Sequence, residues 1–511
     1  MHFKLLDLLK STNSFFVILT VFLIARFGYE FGTGDSAEFI PFILKLHNSN
    51  LYRHDLFVNS MNQMYVNERT FFMYFFYPTF INPEWCFWIL FLINTFLVIK
   101  GLYHIYQYII NSQFIAYCLL ILTLFPIGDI EIGAITIHHN SFQGASIATC
   151  LAIWSFYFIL IKGVNFLSTI LLICASFFHP IVGFQAFSLI YGGYFLNQLI
   201  DKKIIFSEYL HLLLYVLTAG IWILLIINFQ NNKICQLSDI EFINYTYKYY
   251  LDIHFDPSLF SKKGYVLLVP SLIAGMIISL KSERYLFIIM TIYLIGVILY
   301  LYGFYSNNYY LISSWWFRSN IWIKIIAFPL IIKFLQPYFF KIKFNRYLTL
   351  LFLSFIILVD VFLNSNKVMN NPYHFPFSQY KNINDEISFA IQIGKHTPID
   401  AIIIHPIDMT AIKYYALRSS WVEFPRIVRD KCDIKLWYSR IQMLYNLPHT
   451  VNIGRNTSYV YNSNNFYHNF VQTNSKLLSK NSNTYCVLYK PLLADNQLVC
   501  HNSKYFLYKL P

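Results

Sequence analysis

The chain contains 511 residues, of which 57% are hydrophobic, 20% are aromatic and only 12% are charged. Soluble domains carry roughly twice that share of charged residues, so the composition excludes an ordinary soluble protein and predicts one that crosses a membrane repeatedly. The formal net charge of +13 does not indicate nucleic-acid binding. The lysines and arginines fall in short clusters between apolar spans, as the positive-inside rule predicts.

The first apolar span covers residues 14–31 and is long enough to cross a hydrocarbon core about 30 Å thick. Polar Arg26, Tyr29 and Glu30 occupy its end, where a signal peptide would have small residues and a cleavage site. We therefore expect this span to be retained as an anchor.

The loop after the first span begins Gly32-Thr-Gly-Asp-Ser-Ala-Glu38, which places Asp35 and Glu38 one helical turn apart at a membrane face. A carboxylate there can deprotonate a hydroxyl group or hold a divalent cation, so both are candidate catalytic residues. The alternative is that one of them caps an interfacial helix from Ser36 to about Leu46. His54 and Asp55, later in the same loop, are candidate substrate-binding residues.

Hydropathy predicts eleven spans, and the short basic turns between them favour a cytoplasmic N-terminus and an outer C-terminus. The spans are expected at residues 14–31, 85–108, 113–128, 144–161, 165–182, 184–200, 210–228, 264–280, 285–302, 316–335 and 347–364. The outer face then receives the loops 32–84, 129–143 and 229–263 and the tail 365–511. The predicted fold is mainly α, with a transmembrane domain over residues 1–364.

The loop after the third span carries a second acidic pair, Asp129 and Glu131, followed by His138 and His139. In an extended segment the two acids share one side, so they are further candidate catalytic residues, and the histidines are candidate substrate ligands. A polar loop held by turn hydrogen bonds is the alternative. A divalent cation, Mg or Mn, would use Asp35 and Asp129.

Four more residues on the predicted outer face are candidate substrate-binding groups: His179, Lys262, Lys263 and Arg318. Arginine beside tryptophans suits a phosphate at headgroup depth, because a guanidinium forms bidentate hydrogen bonds and indoles anchor at the interface. An aromatic-belt anchor explains Arg318 equally well, and a structural histidine beside Pro180 explains His179.

The tail 365–511 is predicted to be a small α/β domain. Its expected elements are a strand at 398–405, a helix near 409–417, a strand at 420–424, a helix around 436–440, a long loop over 452–483 and strands at 484–489 and 497–500. Arg418, Trp421, Trp437 and Arg440 form either a sugar-binding surface or packing contacts. Cys486 and Cys500 are a candidate disulfide pair in an oxidising compartment.

These features resemble the GT-C class of integral-membrane glycosyltransferases. In that class an acidic residue follows the first span, a second acidic site follows the third, and a soluble domain commonly follows the last. Asp35, Asp129 or Glu131, and residues 365–511 match these positions, although the first loop lacks an Asp-x-Asp pair.

The chain also resembles a family of uncharacterised bacterial polytopic membrane proteins. Four segments carry this resemblance: Gly34-Asp-Ser-Ala-Glu38, Leu51-Tyr-Arg-His-Asp55, Thr397-Pro-Ile-Asp400 and Trp437-Tyr-Ser-Arg440.

The GT-C resemblance implies transfer of a sugar from a polyprenyl-phosphate donor to a cell-envelope glycan, lipid or protein acceptor at the outer face of a bacterial inner membrane. Asp35 would be the general base, and Arg318 or Lys262 and Lys263 would bind phosphate. A polysaccharide polymerase or ligase, a transporter or flippase, and a non-catalytic envelope scaffold are the alternatives.

Overall fold

The fold is known from a computed structural model. It describes residues 12–63, 66–79, 82–125, 127, 130, 132–133, 136–203, 205–231, 237–250, 252–339, 355, 357, 359–360, 362, 373–376, 384–406, 409–423, 428, 430–445, 471, 483–491 and 497–510. The expected eleventh span at 347–364 and the expected long loop at 452–483 lie almost wholly outside these residues.

The chain is mainly helical. The helices of its first half are α1 (Thr12–Phe27), α2 (Ile40–His47), α3 (Leu56–Gln63), α4 (Thr70–Phe76), α5 (Pro83–Ile110), α6 (Gln113–Leu124), α7 (Gly144–Lys162), α8 (Phe166–Phe178), α9 (Pro180–Ala186), α10 (Gly192–Asp201), α11 (Phe206–Tyr215) and α12 (Ile221–Asn231). The remaining helices are α13 (Asp239–Ile243), α14 (Asp252–Phe255), α15 (Lys262–Ser282), α16 (Arg284–Ser306), α17 (Tyr309–Ser313), α18 (Ile321–Phe339), α19 (Asp385–His396) and α20 (Ile434–Tyr445). Short π-helical turns, Phe187–Tyr191 and Val216–Gly220, join α9 to α10 and α11 to α12.

Six helical stretches are long and apolar enough to cross a membrane, which is compatible with an integral membrane protein. They are Pro83–Ile110, Gly144–Lys162, Phe206–Asn228, Lys262–Ser282, Arg284–Ser306 and Tyr309–Tyr338. Three shorter apolar helices, Asn13–Phe27, Gln113–Leu124 and Phe166–Phe178, correspond to other expected spans. The described residues therefore support the membrane class but do not confirm the expected count of eleven.

Contacts divide the chain into two compact units. The helical unit comprises residues 1–29, 89–224 and 253–373, and the mixed unit comprises residues 30–88, 225–252 and 374–511. The sheet was expected to belong to a domain made of the tail alone. It lies instead in a unit to which the first outer loop also contributes.

Small residues allow close helix packing in the helical unit, as is usual between membrane helices. Gly275 of α15 lies against Ala327 of α18, where a Cβ atom on the glycine would come within 2.8 Å of the alanine Cβ. A buried ion pair between Arg26 and Asp360, 2.7 Å apart, links the end of α1 to a later segment. A charge within an apolar helix is thus neutralised inside the protein.

The mixed unit contains a five-stranded sheet in the order β2-β1-β3-β5-β4. The strands are β1 (Ile402–Ile404), β2 (Ser419–Ser420), β3 (Thr484–Leu488), β4 (Gln497–His501) and β5 (Phe506–Lys509). β1 pairs in parallel with β2 and β3, whereas β5 pairs antiparallel to β3 and β4. Helix α19, residues of β1 and β3, and a π-helical turn, Ile412–Ala416, share one apolar core.

The cysteines differ from the expectation. Cys486 is buried in β3 and Cys500 is partly buried in β4, and both are free. Burial raises the pKa of the Cys486 thiol to about 12, which keeps it protonated and unreactive. Cys432, also in the mixed unit, is disulfide-bonded.

Candidate functional site

Glu38 of the first outer loop is held by a buried arginine of the mixed unit. A 3-10 helix, Gly34–Glu38, ends at this residue. Arg69, only 2% exposed, lies 2.5 Å from a Glu38 carboxylate oxygen and 2.6 Å from one of Glu68. Glu38 is thus part of an ion-pair network that fixes this turn. The Asp35 side chain lies outside the described residues.

Asp55, a candidate substrate ligand, is buried in a second charged network. It caps α3 by accepting the Val58 N–H (2.9 Å), and its other oxygen accepts the backbone N–H of Ser420 in β2 (3.0 Å). Lys413 Nζ lies 3.3 Å from Asp55 Oδ1 and 2.9 Å from Glu423 Oε2. These contacts hold Asp55, which is 1% exposed, between α3, β2 and Lys413.

The same network continues to the carboxyl end of β1. Ser420 Oγ donates to Glu423 Oε1 (2.9 Å), and His405 Nε2 lies 3.0 Å from Ser420 Oγ. The arrangement is not a nucleophilic triad, because the serine contacts the carboxylate directly and His405 Nδ1 faces the Pro406 carbonyl (2.8 Å). His54 is exposed beside this network, and its backbone N–H donates to Ser419 Oγ (3.3 Å).

The four candidate sugar-surface residues of the tail separate into two kinds. Arg418 donates to carbonyl oxygens of Gly394, Thr397 and Ala416, and Trp437 is 1% exposed and donates to the Glu423 carbonyl. Both are packing residues. Trp421 is half-buried, and the Arg440 guanidinium lies 5.2 Å from its ring centre.

A different kind of polar cluster lies in the helical unit, around His138 and His139. Gln143, which caps α7, donates its side-chain N–H to His139 Nδ1 (3.0 Å). An amide nitrogen can only donate, so Nδ1 is the acceptor and the ring hydrogen of the neutral imidazole is on Nε2. The Nε2 atom is buried and has no hydrogen-bond partner among the described residues.

Both imidazoles are neutral at physiological pH. Burial, followed by the nearby Arg318 charge, lowers the pKa of His139 to about 4. Burial is the main cause that lowers the pKa of His138 to about 3, and the electrostatic effect of His139 is the second cause. A cavity beside His138 has room for about one water molecule. His139 is therefore the stronger candidate for a ligand, since it presents a buried N–H donor next to a positive charge.

Arg318 lies in a turn with strained backbone. Its guanidinium carbon is 4.8 Å from the Trp315 ring centre, and its backbone N–H donates to the Trp315 carbonyl (2.8 Å). Trp315 has φ +51° and ψ +36°, the left-handed region, which costs a bulky residue about 1–3 kcal/mol. Five other non-glycine residues among those described also have a positive φ, so the strain at Trp315 indicates a site only together with the side chains around it.

Three segments of the helical unit meet at this turn. Asn320 donates to the Ile132 carbonyl. Gly133 has φ +73°, and a Cβ atom placed on it would lie 3.8 Å from Arg318 Cγ. His254 faces the Gly133 carbonyl (3.4 Å) and stacks near Trp315. The loops before α7, before α15 and before α18 thus converge around one guanidinium.

The other candidates that the structure describes are His179, Lys262 and Lys263. His179 caps α9, since its Nδ1 accepts the Val182 N–H (3.3 Å). Lys262 and Lys263 are exposed in the first turn of α15. Asp129 and Glu131 lie outside the described residues. Among the residues that the structure describes, no three acidic, histidine or cysteine side chains are placed so as to hold a metal ion.

Sequence reasoning missed Gln143, Gln185 and Lys413. Gln185 is 3% exposed within the apolar run Phe184-Gln-Ala-Phe187, and Lys413 is 0% exposed. An isolated polar residue inside an apolar segment is a usable signal, because burying such a group is unfavourable unless it is paired.

The arrangement around Arg318 can bind an anion. A guanidinium held on an indole face and a buried imidazole N–H supply hydrogen bonds of the kind that phosphate oxygens accept. Compared with known proteins, the sequence matches no protein-family model and no curated protein.

Proposed function

We propose that the protein is an integral-membrane glycosyltransferase that takes a sugar from a polyprenyl-phosphate donor. The acceptor would be a cell-envelope glycan, lipid or protein. The observation that carries the proposal is that Arg318, on the Trp315 face, is close enough to His139 to lower its pKa, while the Nε2–H of His139 has no partner among the described residues. Six apolar helices supply the bilayer context that a lipid-linked donor needs.

The chemistry of the transfer explains why these groups matter. The acceptor hydroxyl attacks the anomeric carbon, its proton passes to a base, and the bond to the lipid phosphate breaks. Negative charge grows on the departing phosphate, where a guanidinium and an imidazole N–H stabilise it more in the transition state than in the ground state. Asp35 is the base in this proposal, because it directly follows the first span at a membrane face.

The location of the mixed unit is part of the proposal. Its three segments, 30–88, 225–252 and 374–511, fold together, and in this proposal all of them lie on one side of a bilayer. The chain must then cross an even number of times between 88 and 225 and again between 252 and 374. Six expected spans fall in the first interval and four in the second, and both numbers are even. The three long apolar helices described in each interval would alone give an odd number of crossings.

The disulfide supports the outer face as that side. Disulfide bonds persist in oxidising compartments and are rare in the cytosol. Because Cys432 of the mixed unit is disulfide-bonded, an extracytoplasmic position of this unit is favoured.

Glycan mass spectrometry of a deletion strain complemented with variants tests the function. Arg318→Gln and Asp35→Asn should each reproduce the glycan change of the deletion, whereas Arg284→Gln, at an arginine that is 45% exposed, should restore the wild-type glycans. Equal abundance of the variants in the membrane is the control for folding. Unchanged glycans on deletion would refute a role in glycan assembly.

The polymerase or ligase alternative is separated by one variant. Such an enzyme joins two lipid-linked glycans and relies on arginines more than on carboxylates. Loss of activity with Arg318→Gln but not with Asp35→Asn would therefore favour the polymerase or ligase over carboxylate-assisted transfer.

A further inference from the structure

The strained turn at Trp315 is held in place by one buried glutamine. Gln185 Nε2 donates to the carbonyl oxygens of Ser314 (2.9 Å) and Trp315 (2.8 Å). Both hydrogens of the amide are thus used on two consecutive carbonyls of the turn. With 3% of its surface exposed, Gln185 has little access to water as a substitute partner.

The helix that carries Gln185 is itself distorted at this point. α9 ends at Ala186 and continues as a π-helical turn, Phe187–Tyr191. π-helical turns shift the register of a helix and are frequent at functional sites. Gly183 keeps α9 close to α8, because a Cβ atom there would fall 2.2 Å from Ser176 Oγ. The position of Gln185 is therefore well fixed relative to its own helix pair.

The conformation that Gln185 holds determines where the indole lies. In the left-handed region Trp315 packs edge-on against Phe255 (4.6 Å between ring centres) and carries the Arg318 guanidinium on its face. A relaxed backbone at Trp315 would rotate the indole away from this place. The guanidinium would then lose its platform, although its charge would remain.

We propose that Gln185 is a positioning residue for phosphate recognition. By holding Trp315 in its strained conformation, it fixes the indole on which the Arg318 guanidinium lies, and Arg318 binds the phosphate of a ligand together with His139. The inference rests on the proposed function and names the determinant of its phosphate selectivity. The ligand chemistry is a phosphate ester of a lipid or free phosphate, and the experiment distinguishes the two.

The test measures binding by the purified full chain in detergent. The probes are farnesyl monophosphate, a short polyprenyl phosphate, and farnesol, its uncharged analogue. Gln185→Leu, which removes both donors at similar volume, should weaken farnesyl monophosphate binding about tenfold, as expected when a hydrogen-bonded contact to a charged group is lost. Farnesol binding should change less than twofold, whereas a merely structural role would weaken both ligands alike.

The test includes a matched control at another buried glutamine and a second variant at Gln185. Gln198→Leu, at a buried glutamine of α10 that donates to Glu208, should leave the ratio of the two affinities unchanged. If Gln185→Leu does not fold, Gln185→Glu has the same shape and directs a carboxylate at the two carbonyls, and it should lower the ratio in the same way. An unchanged ratio in the folded variant would overturn the inference.

Failure of the inference and failure of the proposed function give different results. If Arg318→Gln lowers the ratio but the Gln185 variants do not, the phosphate site stands and the positioning role is refuted. If Arg318→Gln leaves the ratio unchanged, the proposed phosphate site is itself wrong. Inorganic phosphate that displaces the farnesyl ligand at equal concentration would identify free phosphate as the ligand, whereas no displacement supports the lipid.

Discussion

Replacing Lys413 by methionine should destabilise the mixed unit far more than the same change at Lys431. The Lys413 ammonium is 1% exposed and lies 2.9 Å from Glu423 Oε2 and 3.3 Å from Asp55 Oδ1. Methionine retains most of the stem but leaves two buried carboxylates without their shared cation.

The size of the effect follows from the distances. Opposite unit charges 3 Å apart attract by about 5 kcal/mol at an effective dielectric constant of 20, and the desolvation of the ions offsets part of this. Breaking a buried pair by removing one partner typically costs about 3–5 kcal/mol. For a unit of roughly 200 residues, this corresponds to a fall of roughly 6–20 °C in the unfolding midpoint.

The midpoint is measured by thermal unfolding of the purified full chain, with limited proteolysis used to identify fragments of the mixed unit. Lys431→Met is the matched control, because Asp239, the partner of Lys431, is 70% exposed and such pairs contribute at most about 1 kcal/mol. Adding Glu423→Gln to Lys413→Met should recover part of the loss, since it removes one uncompensated charge. If Lys413→Met and Lys431→Met unfold at the same midpoint temperature, the structural role of this network is refuted.

Three further outcomes are expected. Burial lowers the pKa of His374 from 6.5 to about 4, so between these pH values the imidazole takes up a proton in the unfolded chain but not in the folded protein. Stability is therefore lost as the pH falls from about 6.5 to about 4, by on the order of 3 kcal/mol. His374→Gln should flatten this part of a plot of melting temperature against pH, whereas His54→Gln, at an exposed histidine, should not. Reductant or Cys432→Ser should lower stability by about 2–4 kcal/mol, whereas Cys500→Ser, at a free cysteine, should leave the response to reductant intact. Single cysteines placed at exposed positions in 30–79, 237–248 and 384–445 should all label from the same side of the membrane, since these segments belong to one unit; labelling from opposite sides would contradict that fold.

Local patterns in the sequence predicted the parts of the fold that depend on local chemistry. Continuous apolar runs indicated helices such as α5 and α7, and the buried run Thr484–Leu488 indicated β3. β5 was not predicted, because the four residues Phe506–Lys509 are too few to show a period. Several expected spans correspond in the helical unit to shorter helices and π-helical turns, which hydropathy does not register.

Long-range pairing is what the sequence did not contain. Asp55 accepts a hydrogen bond from Ser420, 365 residues away, and no local signal links a loop aspartate to a strand that is two residues long. The ion pairs of Asp55 with Lys413 and of Glu38 with Arg69 could not be predicted for the same reason. Arg318, His138 and His139 were candidates from the sequence because their residue types carry a direct chemical meaning.

The two charged clusters differ in how their groups are arranged. Around Lys413 the ammonium lies between two carboxylates, Ser420 donates to one of them, and the backbone of β2 takes part in the ladder as usual. Removing the lysine would leave uncompensated buried charge, which gives the cluster a stabilising role. Around His139 an imidazole donor is buried without a partner among the described residues, and the nearby Arg318 guanidinium lies on the face of Trp315. We therefore expect substitutions at Arg318 and His139 to lower activity with little change in stability, whereas substitutions at Lys413 should lower stability.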